Sequence, residues 1–227
     1  MSIKENILYF DEKLRDVNCR LVAVSKTHPP ELIKEAYDAG HRLFGENKVQ
    51  ELVDKYALLP HDINWHLIGH LQTNKVKYIA EFIDTIQSVD SLKLLEEINK
   101  RAEQWNRTLP INCLLQLSIA DEETKFGMSY DEAVMLLRSE SYKAMKYIRI
   151  TGVMGIATNT DDETKLRQEF RSLKQYFSEL KETFFFANPD FCEISMGMTS
   201  DWELAVEEGS TMIRIGSGIF GSRNYSK

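Results

Sequence analysis

The chain is poor in the features that announce many protein classes. It has only three cysteines, Cys19, Cys113 and Cys192, widely spaced and odd in number, with no CxxC pair and no zinc-ligand spacing. Reduced thiols in the cytoplasm are therefore expected rather than a disulfide framework or a metal cluster. Cys113 lies in an apolar run and reads as core rather than nucleophile. No uninterrupted apolar run is long enough to span a bilayer, and the first residues, Met1-Ser2-Ile3-Lys4-Glu5-Asn6, lack the apolar centre of a signal peptide. Basic residues are outnumbered, giving a net charge of −7, and no basic strip alternates with aromatics. That balance argues against broad electrostatic binding to nucleic acid or to an anionic membrane. Glycine-rich linkers, low-complexity tracts and charged tails are also missing, so nothing marks a domain boundary. One unit over residues 1–227 is expected.

What is present is a core and a rhythm. Hydrophobic residues make up 43% of the chain, enough for a substantial interior. Strand-like and helix-like runs alternate. The pattern predicts strands at 21–26, 42–45, 63–68, 83–88, 111–118, 148–154, 191–195 and 211–215. It predicts helices at 31–39, 47–58, 72–81, 91–106, 130–138, 162–181 and 201–208, with a further helix at 3–15 ahead of the first strand. Capping-box patterns begin at Ser129, Thr160 and Ser200, and Gly40 and Gly209 fit helix ends. Alternating strands and helices imply parallel pairing. Eight such units predict an α/β fold, a single (β/α)8 TIM barrel with an extra N-terminal helix. A doubly wound open sheet is the alternative, disfavoured because no phosphate-loop glycine fingerprint follows the first strand.

In such barrels chemistry sits at the carboxyl ends of the strands. The most informative residue there is Lys26. The run Leu21-Val22-Ala23-Val24 is apolar on both faces and ends in a primary amine, and Pro29-Pro30 then open a loop into a helix. A desolvated lysine can act as a Schiff-base nucleophile at neutral pH. Other strand ends supply Glu46-Asn47, His66, Ser195 and Arg214. Asn47 reads either as a helix cap or as a ligand contact, and His66 either as a satisfied core histidine or as a site residue. Lys75 and Lys77 read as solvated. Ser195-Met196-Gly197-Met198-Thr199-Ser200 is a strand end turning through a glycine into a helix, a place for an anion. The two methionines taken alone read as packing residues. Arg214 lies among apolar β-branched residues, an expensive place for a guanidinium without an acceptor. Gly216-Ser217-Gly218 lets backbone amides approach a ligand. Two such loops after the last strands imply a phosphorylated ligand within reach of the Lys26 amine. Pyridoxal phosphate and a sugar phosphate handled by a Schiff-base aldolase both satisfy that description.

Six blocks in order carry a resemblance. They are Ala23-Val24-Ser25-Lys26-Thr27, Phe44-Gly45-Glu46-Asn47-Lys48-Val49-Gln50-Glu51, Trp65 to Lys75, Lys125-Phe126-Gly127-Met128, Ser195 to Asp201, and Arg214 to Gly221. Through them the chain resembles the pyridoxal-phosphate homeostasis proteins (the YggS/PROSC family), whose barrel is similar to the N-terminal domain of alanine racemase. The resemblance implies that Lys26 holds pyridoxal 5′-phosphate (PLP) as a Schiff base and that Arg214 faces the pyridine nitrogen. It also implies that Ser195, Gly216 and Ser217 hold the phosphate and that Asn47 lies near the cofactor. His66, Met196, Gly197 and Thr199 complete the expected cofactor-binding set, with no catalytic residue and no metal. The chain departs from the family at Ser217-Gly218, where Thr-Ala is usual, and at Lys48, often Tyr. It also lacks the additional β-domain that supplies the second base of the racemase. A non-enzymatic PLP homeostasis protein is therefore expected, monomeric, partnered by PLP and by PLP-dependent apoenzymes. A racemase-like PLP enzyme of low activity is the alternative.

Overall fold

The computed structural model describes residues 2–120 and 127–221. Eight parallel strands close into a barrel in sequence order. They are β1 (Arg20–Val24), β2 (Leu43–Glu46), β3 (Asn64–Leu67), β4 (Thr85–Val89), β5 (Ile111–Gln116), β6 (Ile148–Met154), β7 (Glu193–Ser195) and β8 (Met212–Ile215). Closure is made by β1 against β8, where Val22 lies beside Arg214 and Ala23 beside Ile215. The helices are α1 (Ile3–Leu14), α2 (Pro30–Asp38), α3 (Val49–Leu58), α4 (Leu92–Gln104), α5 (Tyr130–Arg138), α6 (Glu140–Ala144), α7 (Glu163–Phe184), α8 (Trp202–Glu207) and α9 (Ser217–Phe220). The predicted (β/α)8 barrel and its leading helix are present.

Local sequence explains most boundaries. Ser2 and Ser129 accept from backbone amides in the first turns of α1 and α5, and Glu5 and Glu132 complete both capping boxes. Pro30 occupies the first turn of α2, where its missing N–H costs nothing. Three expectations need correction. The segment after β3 is a 3₁₀ turn, Thr73–Tyr78, rather than a helix over 72–81; Gly69 and the three-residue spacing of buried Val76 and Ile79 suit the tighter winding. The cap of α7 is Asp162, which accepts from Lys165, and Thr160 instead accepts from the amide of Asp162. The cap of α8 is Asp201, not Ser200, and its carboxylate reaches backward to the Met198 amide. The short helices α6 and α9 were not expected.

Alternation along the strands sorts the interior into two regions. Leu21, Phe44, Trp65, Leu67, Ile86, Cys113, Leu115, Ile150, Ile194 and Ile213 point outward and join the helix faces in one apolar cluster. Val22, Leu114, Met154 and Met212 fill the lumen, and the buried polar side chains among them include His66, Gln87, Ser195 and Arg214. Cys113 is wholly buried, as its apolar neighbours implied.

Candidate functional site

A pocket of about 170 Å³ opens at the carboxyl ends of the strands. Its walls include Arg214 of β8 together with Lys26, Asn47, Thr199, Gly216 and Ser217, which follow β1, β2, β7 and β8. Six of the expected residues thus meet at one cavity. Apolar walls come from Val24, Ile68, Ile156 and Met198, which no sequence signal distinguished from packing residues.

Lys26 does not belong to β1, which ends at Val24. It lies in the turn Ser25–His28, closed by the His28 amide donating to the Ser25 carbonyl at 3.1 Å. Asn47 is not a helix cap, because α3 begins at Val49 with Lys48 in the capping position. Its side-chain oxygen is buried with no protein partner, an acceptor left for a ligand's donor. Gly69 packs directly on the Asn47 carbonyl, so any side chain there would collide with the Asn47 main chain. Thr199 and Ser217 bring two exposed hydroxyls. The first turn of α9 leaves the Ser217 and Gly218 amides without helical acceptors. An amine, a guanidinium, two hydroxyls and turn amides around an apolar-walled cavity fit an anionic, planar aldehyde.

Four expected residues are not brought to the pocket wall. Met196 is fully buried packing. Gly197 makes the turn that delivers Met198 and Thr199, with φ +94° and the Ala205 methyl and Trp202 Cα pressed against it. His66 and Ser195 lie beneath the pocket in a hydrogen-bonded column along the barrel axis. Arg214 donates to Ser195 Oγ at 2.7 Å and to the Gly155 carbonyl at 2.9 Å. Ser195 donates to Gln87 Oε1 at 2.6 Å, and Gln87 Nε2 lies 2.8 Å from His66 Nδ1. His66 Nε2 faces the Asp84 carboxylate at 3.4 Å, at the opposite mouth of the barrel.

Arginine can only donate, so the direction of the whole column follows from its upper end. Ser195 accepts and passes its own proton on; Gln87 accepts that and donates to His66; His66 carries its proton on Nε2, toward Asp84. Burial pushes the His66 imidazole below its ordinary value, so it is neutral at pH 7. Burial also lowers Arg214 to about 10, opposed by Asp201. The guanidinium therefore remains charged at neutral pH. Gln87 was missed in the sequence; its only signal is a polar residue inside the apolar run Thr85-Ile86-Gln87-Ser88-Val89.

A second buried polar group stands outside the barrel wall, between β2 and α3. Ser25 Oγ donates to Glu46 Oε1 at 2.6 Å, and Lys55 Nζ donates to the same oxygen at 2.6 Å. Burial raises the Glu46 carboxyl above its usual range, with Lys55 pulling the other way. Glu46 was expected at the strand end, but it faces the helix and not the pocket. Lys55 was missed, although Glu51-x-x-x-Lys55 is a visible helical ion-pair spacing.

Residues 1–224 match the alanine racemase N-terminal domain family. The chain is 37% identical to the pyridoxal phosphate homeostasis protein of Pasteurella multocida, over the full length of both. The chain belongs to the pyridoxal phosphate homeostasis protein family. Among solved members of similar shape is PipY of Synechococcus elongatus with PLP bound, at 35% identity and a TM-score of 0.86, covering 97% of this chain and all of that one. Alanine racemase from E. faecalis shares the barrel at a TM-score of 0.74 and 16% identity, with 98% of this chain aligned to 58% of the racemase; at that identity the likeness is one of fold. Lys125 and Phe126, part of one family block, lie outside the described residues. Gly218 has little room for a side chain: a Cβ there would stand 2.8 Å from Ile215 and 3.2 Å from the Phe10 ring of α1.

Proposed function

We propose that this chain is a PLP-binding homeostasis protein that captures the cofactor on Lys26, holds it reversibly and surrenders it to PLP-dependent apoenzymes without a catalytic cycle of its own. The whole chain acts as one cofactor-binding unit, a monomer in the cytoplasm; its three free cysteines suit a reducing compartment. When bound, PLP supplies an aldehyde that condenses with a primary amine, losing water, in a step that water reverses. Lys26 is the amine. Thr199, Gly216 and Ser217 would hold the phosphate, Asn47 would offer its unpartnered oxygen to a donor on the ligand, and Val24, Ile68, Ile156 and Met198 would supply apolar contact. Ser195, Met196, Gly197 and His66 act beneath this layer, holding the residues that touch the ligand.

The observation that carries the non-catalytic reading is Arg214. It is buried, charged, and tied by two hydrogen bonds to Ser195 and Gly155. A guanidinium facing the pyridine nitrogen donates a hydrogen bond and yields no proton, so the ring remains a weak electron sink. A carboxylate at that place would do the reverse. The family's names and the PLP-bound relative support the cofactor.

The test is direct. Purified protein incubated with PLP and reduced with borohydride should gain one pyridoxyl mass on the peptide containing Lys26, and Lys26→Ala should gain none. No adduct, or an adduct elsewhere, overturns the assignment of Lys26. Sustained amino-acid turnover that disappears in Lys26→Ala overturns the non-catalytic reading. Release to an apoenzyme is read by mixing loaded protein with an apoenzyme and a scavenger of free PLP. Reactivation at the rate of free PLP alone would defeat hand-over.

A further inference from the structure

Thr27, next to Lys26, has φ +67°. A β-branched residue there is strained, because its Cβ is crowded against the main chain. Such strain persists only where the surroundings over-determine it. Here the surroundings are three side chains. Lys55 Nζ donates to the Ser25 carbonyl at 2.8 Å, to Glu46 at 2.6 Å and to Glu51 at 2.7 Å. Glu51 Oε1 in turn accepts from the Thr27 amide at 2.5 Å. The residues on either side of Lys26 are thus gripped by one ammonium and one carboxylate that also grip each other.

Lys55 is only 4% exposed and Glu46 is wholly buried. Burying a lysine among carboxylates is a poor route to stability, since desolvation offsets most of the attraction and an apolar replacement is often neutral or better. The arrangement does something an apolar side chain cannot: it satisfies main-chain atoms on both flanks of a strained turn. The same turn is held from the far side, where the His28 ring lies 5.1 Å from Phe220 of α9. The backbone bearing the Lys26 amine is thereby fixed relative to the loop that carries Gly216 and Ser217.

We infer that Lys55 and Glu51 are positioning residues for Lys26: through the Ser25 carbonyl and the Thr27 amide they set the turn so that the amine meets the bound aldehyde. This inference rests on the reading of Lys26 as the capturing amine. Neither residue touches the ligand, and neither is needed for binding its ring or phosphate.

That separation supplies the experiment. PLP is compared with pyridoxine 5′-phosphate, which has an alcohol in place of the aldehyde and cannot condense with an amine. Lys55→Met, which removes three hydrogen bonds around the turn, and Glu51→Gln, which takes the carboxylate charge from two, should each weaken PLP on the order of ten-fold. Both should leave pyridoxine 5′-phosphate within about two-fold of the parent. Loss of overall stability would weaken both ligands alike, and equal weakening in both variants overturns the inference, as does unchanged PLP affinity. Should Lys55→Met not fold, Glu51→Gln, at a partly exposed position, carries the test by the same criterion. A parent protein without a borohydride-fixed adduct on Lys26 overturns the functional reading and this inference together. A parent with the adduct, beside variants unchanged in their ligand preference, overturns this inference alone.

Discussion

Arg214 Nη1 donates to Ser195 Oγ at 2.7 Å, and that hydroxyl has already given its proton to Gln87, 2.6 Å below. The serine is therefore a spacer between a cation and an amide. The guanidinium's direction is set by a column that ends on a carboxylate at the far mouth of the barrel.

Gln87→Leu should be costly for this reason. It leaves the Ser195 hydroxyl without an acceptor and His66 Nδ1 without a donor in the closed lumen, where each orphaned group costs about 1–3 kcal/mol. A loss of about 3 kcal/mol is expected in urea unfolding. PLP affinity should fall as well, because Arg214 loses the acceptor that aims it. An unfolding midpoint within error of the parent would show that the column carries no load.

Asp84 gives the column a pH signature. Burial pulls its carboxyl upward, but hydrogen bonds from His66 and Thr85 prevail and lower it to about 2. A folded value below the ordinary 3.8 means that its stabilisation is present above the unfolded value and is lost as pH falls through about 2. The carboxylate is 41% exposed, so solvent screening limits the contribution to about 1 kcal/mol or less. Asp84→Asn should be less stable than the parent near neutral pH, and the difference should shrink toward zero in acid. Paired urea titrations across that range measure it; a constant gap would refute the assignment.

Thr27→Asn tests the strain directly. Asparagine tolerates positive φ far better than a β-branched residue. The Thr27 side chain is exposed, so little packing is lost. Apo-protein should gain about 0.5–1 kcal/mol in thermal or urea unfolding while keeping its PLP affinity. Destabilisation would mean that the threonine side chain makes a contribution of its own.

Gly197→Ala should do the opposite. Its φ of +94° disfavours any side chain, and the added methyl would stand 2.6 Å from Ala205 Cβ. A loss above about 2 kcal/mol is expected from strain and overpacking together. Because this turn delivers Thr199, phosphate affinity should fall too, measured with pyridoxine 5′-phosphate.

The fold was legible because it is written in local periods. Apolar runs at 111–118 and 148–154, punctuated by capped helices and by Gly40 and Gly209, are signals within a dozen residues of chain. The errors also had local causes. A 3₁₀ turn at Thr73–Tyr78 repeats polar and apolar residues much as a helix does, and α6 and α9 are too short to show a period. Candidate pocket residues were legible where a polar group ended an apolar strand, as at Lys26, Asn47 and Arg214. That rule does not say which way a side chain points. His66 and Ser195 follow it and still face downward into the lumen, and Glu46 follows it and faces α3.

By itself, then, the sequence determined the eight-fold alternation, the placement of an amine, an arginine and two glycine turns at strand ends, and through six ordered blocks the family. Those features reside in composition and spacing along the chain. Only the tertiary structure decided that Gln87 links Ser195 to His66, that a hydrogen-bonded column runs from Arg214 to Asp84, and that Lys55 closes on Ser25 from thirty residues away. These depend on strand parity, barrel closure and the packing of α3 against β2. Nothing in the separate segments says that a lysine on one helix will meet the carbonyl of another segment's turn, because that contact exists only once the barrel wall has brought them together.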